Sequence, residues 1–195
     1  FCSNLQKMTK KERAKIVMTE LEKIYPEVPI PLNHKNAYEL LVAVALSAQT
    51  TDKKVNEVTP KLFSVAPNPQ KMAILEESEI KELIKEIGLS TTKAKNLKLM
   101  ANQLLERHNG EVPATFEDLE NLAGVGHKTA SVVMSQAFGF PAFPVDTHIH
   151  RLMKQWKLTE GKNVVQTEND AKKLFPKETW NKLHLQIIFY GREYS

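Results

Sequence analysis

The 195-residue sequence is poor in cysteine and has no long hydrophobic run. Its single cysteine, Cys2, excludes a disulfide framework and a metal site built from several cysteines, so we expect an inert thiol. The densest apolar stretch, 40–48, is far shorter than the roughly 20 residues that a membrane-spanning helix needs. The first residues lack the charged and apolar regions of a signal peptide. We therefore expect an intracellular protein without a membrane partner, in the cytoplasm or nucleoid if bacterial.

The charge balance is mildly basic. The formal net charge is +4 at pH 7, from 27 Lys and Arg against 23 Asp and Glu. This balance is compatible with a nucleic-acid partner, although many basic domains bind none. Charge alone leaves the class of partner open.

Helical periodicity runs through most of the chain, and strand-type alternation is nearly absent. We predict helices that begin at the caps Thr9, Asp52, Ser78 and Thr115, and a buried, nearly all-apolar helix over 37–48. The pattern predicts an all-α fold with short loops.

The most informative segment is Leu122–Ala130, in which two glycines lie one residue apart. Gly124 and Gly126 permit a tight turn and the close approach of another backbone, and Val125 between them can anchor the turn in the core. The next helix presents its first backbone N–H groups and the positive end of its dipole, which suits a phosphate. Three side-chain donors follow the turn: His127, Lys128 and Thr129. No strand precedes the glycines, which excludes a dinucleotide fingerprint, whereas a ligand-free helix–helix connection stays open.

This segment, together with Val145–Arg151, resembles the helix-hairpin-helix, Gly/Pro-Asp (HhH-GPD) DNA glycosylases, and within that family the endonuclease III group. Five further segments resemble that group in the same order along the chain: 46–52, 87–89, 108–113, 161–164 and 191–192. The resemblance implies two helical domains flanking a DNA-binding cleft. A six-helix bundle over 30–140 would carry the hairpin, and 1–29 with 141–195 would form the second domain.

The resemblance also implies a monomeric base-excision repair enzyme that acts on double-stranded DNA with a damaged base or an abasic site. Lys128 would attack C1′ of the sugar, release an oxidised pyrimidine and cleave 3′ of the abasic site by β-elimination through a Schiff base. Asp146 would face Lys128 across the cleft, stabilise positive charge on the sugar and assist proton transfer. On the residues alone, Lys128 is one surface lysine among many, and Asp146 is the N-cap of the next helix.

Further DNA contacts follow from the same resemblance. Gln49 would fill the gap opposite the estranged base and Leu89 would intercalate nearby, because an extruded base leaves a hole in the stack. The alternatives are a loop or capping amide for Gln49 and an apolar helix-end contact for Leu89. The other predicted DNA contacts are Gly124, Val125, Gly126, His127, Thr129, His148 and Arg151, and the predicted base-pocket residues are Ser47, Thr50 and Asp52. For His148 and Arg151 a structural role stays open.

The sequence departs from the family pattern in two places. Members of the endonuclease III group usually end in four cysteines that hold a [4Fe–4S] cluster, whereas Ser195 lies about where the first ligand would be. We expect no cluster and no metal on this chain, which is either a cluster-free member or a chain trimmed before that segment. Ala123 replaces the usual proline before the hairpin glycines, which should loosen the backbone without removing phosphate binding.

Two other functions stay open. One is a glycosylase of other specificity, for pyrimidine dimers or mismatched thymine, or one that only removes bases. The other is a non-catalytic helix-hairpin-helix DNA-binding module. Relatives that only remove mismatched adenine resemble the motif but lack its lysine, so Lys128 favours the bifunctional enzyme.

Overall fold

The computed structural model describes residues 8–29 and 32–194, and these residues form α-helices joined by loops, with no β-strand among them. This confirms the predicted all-α fold. The expectations for Cys2 and Ser195 lie outside the described residues. In chain order, the helices are α1 (Lys10–Ile24), α2 (Ala37–Leu46), α3 (Asp52–Val65), α4 (Pro69–Ile74), α5 (Glu77–Leu83), α6 (Ser90–His108), α7 (Phe116–Glu120), α8 (His127–Phe138), α9 (Thr147–Gln155), α10 (Val164–Leu174) and α11 (Trp180–Tyr194), with a short 3-10 helix at Lys177–Thr179.

The described residues divide into two compact units. One contains the residues up to position 30 together with those from 139 onward, and the other contains those from 31 to 138. The first unit holds α1 and α9–α11, and the second holds α2–α8.

The second unit is built around α2, whose side chains are almost all buried. α2 packs against α8, α3 and α6, and α6 also packs against α4 and α5. Because apolar residues cover most of α2, it can lie in the centre of its unit rather than on the surface. It ends at Leu46, two residues before the predicted end. The loop after α2 therefore starts from a buried, fixed point.

The first unit has its own core, centred on Trp156 and Phe143, which are each 1% exposed. The ring of Phe143 stacks on that of Phe175 with centroids 5.9 Å apart. α11 packs against α1 and α9, and α10 packs against the same two helices. This core fixes the start of α9, where Asp146 lies.

The predicted caps Thr9 and Thr115 are confirmed, since each side-chain oxygen accepts a backbone N–H three residues on, at 3.2 Å. The prediction for Asp52 is wrong: Thr51 caps α3 by accepting from Lys54 N at 3.2 Å, and Asp52 is the first helical residue. Both residue types can cap a helix, and the backbone places Thr51 in the extended conformation that a cap requires.

The predicted cap Ser78 is also wrong, because α5 begins at Glu77. Glu76 and Glu79 form a reciprocal capping box, in which Glu76 N donates to Glu79 Oε1 at 3.1 Å. Two reciprocal bonds satisfy more of the helix end than one serine hydroxyl could. Of the helices between residues 8 and 194, none is long and apolar enough to span a membrane.

Candidate functional site

The glycine hairpin connects α7 to α8. Gly124 has a φ of +77°, a conformation that favours glycine over any L side chain. Val125 is 7% exposed, and its N–H donates to the carbonyl of Leu122 at 3.2 Å. Gly126 directly precedes α8, and its carbonyl accepts the first helical bond, from Ala130 N at 3.0 Å. The turn is tight, and Val125 fixes it in the core as the sequence suggested.

The glycine hairpin packs against α6 on the side of Gly124 and is open at Gly126. A Cβ on Gly124 would lie 3.1 Å from the Cβ of Asn96, so the two backbones approach closely. Ala123 N donates to Gln103 Oε1 at 2.8 Å. A proline at this position has no N–H and could not make that bond. The bond therefore compensates for the backbone rigidity that a proline would supply. A Cβ on Gly126 would meet nothing within 4 Å, so this face can accept a ligand.

Three donor side chains follow on the first turn of α8. Lys128 is exposed and Thr129 is half-buried. His127 lies back over α7, where its ring stacks on Phe116 with centroids 5.8 Å apart and its Nδ1 lies 3.6 Å from a carboxylate oxygen of Glu120. The positive end of the α8 dipole and the Lys128 amine share this end of the helix. The arrangement can bind an anion and present an amine beside it.

Two loops of the same unit carry the predicted wedge residues. Gln49 and Leu89 both have a φ of 60°, and both side chains are exposed, Leu89 by 57%. The left-handed conformation costs an ordinary residue about 1 kcal/mol or more, and such strain is often kept at functional sites. The exposure of Leu89 argues against the alternative of an apolar contact with its own helix end. Their contacts with DNA stay predictions.

Lys93 connects these two loops, although no motif of the sequence singles it out. Its Nζ donates to the carbonyls of Leu46 at 3.0 Å and Ala48 at 2.7 Å, and its own N–H donates to the carbonyl of Leu89 at 2.9 Å. The residue is 8% exposed. Burial lowers the pKa of Lys93 below its ordinary value. A lysine is normally a surface residue, and nothing in the local pattern predicts contacts 45 and 47 residues away.

The predicted base-pocket residues lie around the end of α2 and the start of α3. The Ser47 hydroxyl donates to the Val44 carbonyl at 2.6 Å, so it closes the end of α2. Thr50 is half-buried and its N–H donates to the Ser47 carbonyl at 3.2 Å. Asp52 is half-buried at the first position of α3. Their part in a base pocket stays a prediction.

Asp146 belongs to the other unit, where it caps α9. Its Oδ1 accepts from Ile149 N at 2.8 Å, as the capping interpretation predicted, and the side chain is half-buried. His184 on α11 is 2% exposed and donates from Nδ1 to the Trp180 carbonyl at 2.9 Å. Burial lowers the pKa of His184 to about 4, against smaller upward effects of that bond and of the Asp146 carboxylate. Asp146 thus has a neutral imidazole in its surroundings at pH 7.

His148 and Arg151 lie on the first two turns of α9. The Arg151 guanidinium donates to His148 Nδ1 at 3.2 Å, and Arg151 is exposed. A Cβ on Gly191 of α11 would lie 2.9 Å from the Cβ of His148, so the glycine permits close packing of these helices. The pair offers a basic surface that suits phosphate contact, which stays a prediction.

The residues present do not fit the iron–sulfur cluster that the resemblance implies. Such a cluster needs four cysteine thiolates, and the sequence contains one cysteine. Within 8–29 and 32–194, no group of three or more His, Cys, Asp or Glu side chains is placed to hold a metal ion.

Comparisons with known proteins show the family of this chain. A family model described as HhH-GPD superfamily base excision DNA repair protein matches residues 42–177. Endonuclease III of Haemophilus influenzae is 45% identical over 95% of this chain and 87% of that protein. Endonuclease III of Escherichia coli K12 is 44% identical over the same shares. The solved structure of a non-covalent endonuclease III–DNA complex matches with a TM-score of 0.92 and 40% identity, over 95% of this chain and 87% of that one.

Proposed function

Because the chain belongs to the HhH-GPD superfamily of base excision DNA repair proteins, we propose that it is a DNA glycosylase with AP lyase activity that removes oxidised pyrimidines from double-stranded DNA. The observation that carries the proposal is the exposed amine of Lys128 on the first turn of α8, directly after the open glycine hairpin. A relative of similar sequence has been captured as a trapped endonuclease III–DNA covalent intermediate, which supports covalent chemistry.

The glycine hairpin is the element that binds the DNA backbone. The backbone at Gly126 faces open space, so a phosphate can approach the first N–H groups of α8 without a steric barrier. The dipole of α8 favours the negative charge, and binding should weaken steeply with salt as counterions are released. This contact places the sugar–phosphate backbone beside Lys128.

Lys128 is the nucleophile of the proposed reaction. Its neutral amine forms a bond to C1′ while the C1′–N bond breaks, and the electron pair leaves with the base, which takes up a proton. The sugar ring opens to give a Schiff base between Nζ and C1′. Loss of a proton from C2′ then expels the 3′ phosphate, and hydrolysis of the imine regenerates the lysine.

Asp146 has two roles. One oxygen caps α9, which fixes the orientation of the carboxylate. The negative charge of the carboxylate stabilises positive charge that develops on the sugar, and it can accept a proton during the reaction. The protein acts as a monomer, which light scattering of the free protein and of its DNA complex tests.

The experiment uses a duplex with one thymine glycol and follows base release and strand cleavage separately. Wild type should do both, and Lys128→Ala should lose both by about a thousandfold or more, because it lacks the nucleophile, while duplex binding persists. Lys95→Ala, which removes an exposed lysine of α6, is the control and should match wild type. Binding without base release by wild type would favour the non-catalytic module, and base release without cleavage would favour a glycosylase without lyase activity.

A further inference from the structure

One helix, α6, contacts three of the elements that the proposed function uses. Leu89 directly precedes its first residue, and Asn96 packs against Gly124 of the hairpin. Between them, Lys93 reaches to the end of α2, where its Nζ donates to the carbonyls of Leu46 and Ala48. The second carbonyl belongs to the residue immediately before Gln49.

The contacts of Lys93 link the backbone segments that carry the two wedge residues. Left-handed conformations of residues other than glycine persist where the surroundings over-determine them. The Lys93 backbone N–H donates the first helical bond of α6 to the Leu89 carbonyl at 2.9 Å, as any residue but proline could, and its side-chain Nζ donates to the Ala48 carbonyl at 2.7 Å. The ammonium group also suits the C-terminal end of α2, where the carbonyls carry partial negative charge. One buried residue therefore fixes the backbone on either side of the gap between the two loops.

We propose that Lys93 is a positioning residue for base extrusion, which holds Gln49 and Leu89 at a fixed separation so that both enter the duplex together. The inference rests on the proposed function, since the two side chains must fill a hole left by an extruded base. Lys93 is not the nucleophile, because its amine is buried and donates to two backbone carbonyls, whereas that of Lys128 is exposed.

The test replaces Lys93 with methionine, which keeps an unbranched apolar side chain and removes the donors. The probe is 2-aminopurine placed directly beside the thymine glycol of a duplex and read before base release, since this base fluoresces when a neighbouring base leaves the stack. Wild type should raise the fluorescence on binding, and Lys93→Met should lose most of the rise. Lys93→Arg, which keeps a cationic donor, should restore part of it.

Lys98→Met is the matched control. Lys98 lies on the same helix, and its Nζ also donates to a backbone carbonyl, that of Leu75 at the end of α4. Its loss removes the same kind of bond, which ends on α4 rather than on either wedge loop, so the fluorescence rise should match wild type. Equal losses in Lys93→Met and Lys98→Met would overturn the proposal, because they would report general destabilisation of α6. Thermal unfolding of both variants verifies folding, and Lys93→Gln takes the place of Lys93→Met if that variant does not fold.

Activity gives a second readout that a merely structural role would not move. Lys93→Met should slow base release from a thymine glycol duplex by about tenfold or more, and cleavage at a preformed abasic site by much less, because no base must be unstacked there. In a Gln49→Ala background the same substitution should add little, since residues that act through one another are non-additive. Equal slowing on both substrates, or full additivity with Gln49→Ala, would overturn the positioning role. No base release by wild type would instead refute the proposed function itself.

Discussion

The close approach of the hairpin to α6 predicts a defined cost for Gly124→Ala. An alanine at a φ of +77° carries a backbone penalty of about 1–2 kcal/mol. Its Cβ would lie 3.1 Å from the Cβ of Asn96 and 3.3 Å from Nδ2. Rotation of the Asn96 side chain cannot move its Cβ, so the hairpin or α6 must shift. The substitution also lowers the conformational entropy of the unfolded chain, which offsets about 0.4–1 kcal/mol of this destabilisation. We expect a net loss of about 1–2 kcal/mol in the free energy of unfolding.

Urea unfolding and thermal melting measure this loss, and the melting temperature should fall by about 2–8 °C. Gly139→Ala is the control that separates the two contributions. Gly139 has a φ of +67° and nothing within 4 Å of an added Cβ, so its substitution carries the backbone penalty alone. Gly124→Ala should also weaken duplex binding, because the shift moves the phosphate site. The reasoning is refuted if Gly124→Ala is no more destabilising than Gly139→Ala.

Three further predictions concern charge, capping and iron. For His184, the folded pKa of about 4 lies below the ordinary 6.5, so between these values the unfolded chain binds the proton more tightly. The free energy of unfolding should therefore fall by roughly 3 kcal/mol as the pH drops from 7 to 4, and His184→Asn should show a shallower fall in pH-dependent urea unfolding. Asp146→Asn keeps a capping oxygen and should melt within a few degrees of wild type, whereas Asp146→Ala should lose about 1 kcal/mol in the free energy of unfolding. Base release should fall sharply in both variants. Full activity of Asp146→Asn would contradict the need for the negative charge. Purified protein of this sequence should contain no iron–sulfur absorbance, and an iron-containing brown sample would refute the cluster-free expectation.

Helical periodicity predicted the fold class correctly because the longer helices carry an apolar stripe, and α2 is apolar on most sides. The exact starts of α3 and α5 were less predictable, since Thr51 and Asp52 are both good caps and only the backbone decides between them. Glu76 was missed because a capping box depends on a reciprocal pair rather than on one residue.

The candidate site was predictable where a motif is continuous in sequence and not where contacts are distant. The hairpin around Gly124 and the cap at Asp146 could be identified from adjacent residues. The role of Ala123 could not, because its N–H pairs with Gln103, which lies 20 residues earlier. Lys93 was missed for the same reason, since its side chain binds carbonyls at the end of α2 and in the loop after it, 47 and 45 residues earlier.

The most direct test of the central claim locates the covalent bond. Borohydride added during reaction with abasic DNA should reduce the Schiff base and leave the sugar remnant on one lysine. Trypsin cannot cleave at a modified Lys128, so mass spectrometry should find the remnant on the peptide 108–151, in which Lys128 is the sole lysine. A remnant on any other peptide, or no adduct from active wild type, would contradict the assignment of Lys128 as the nucleophile.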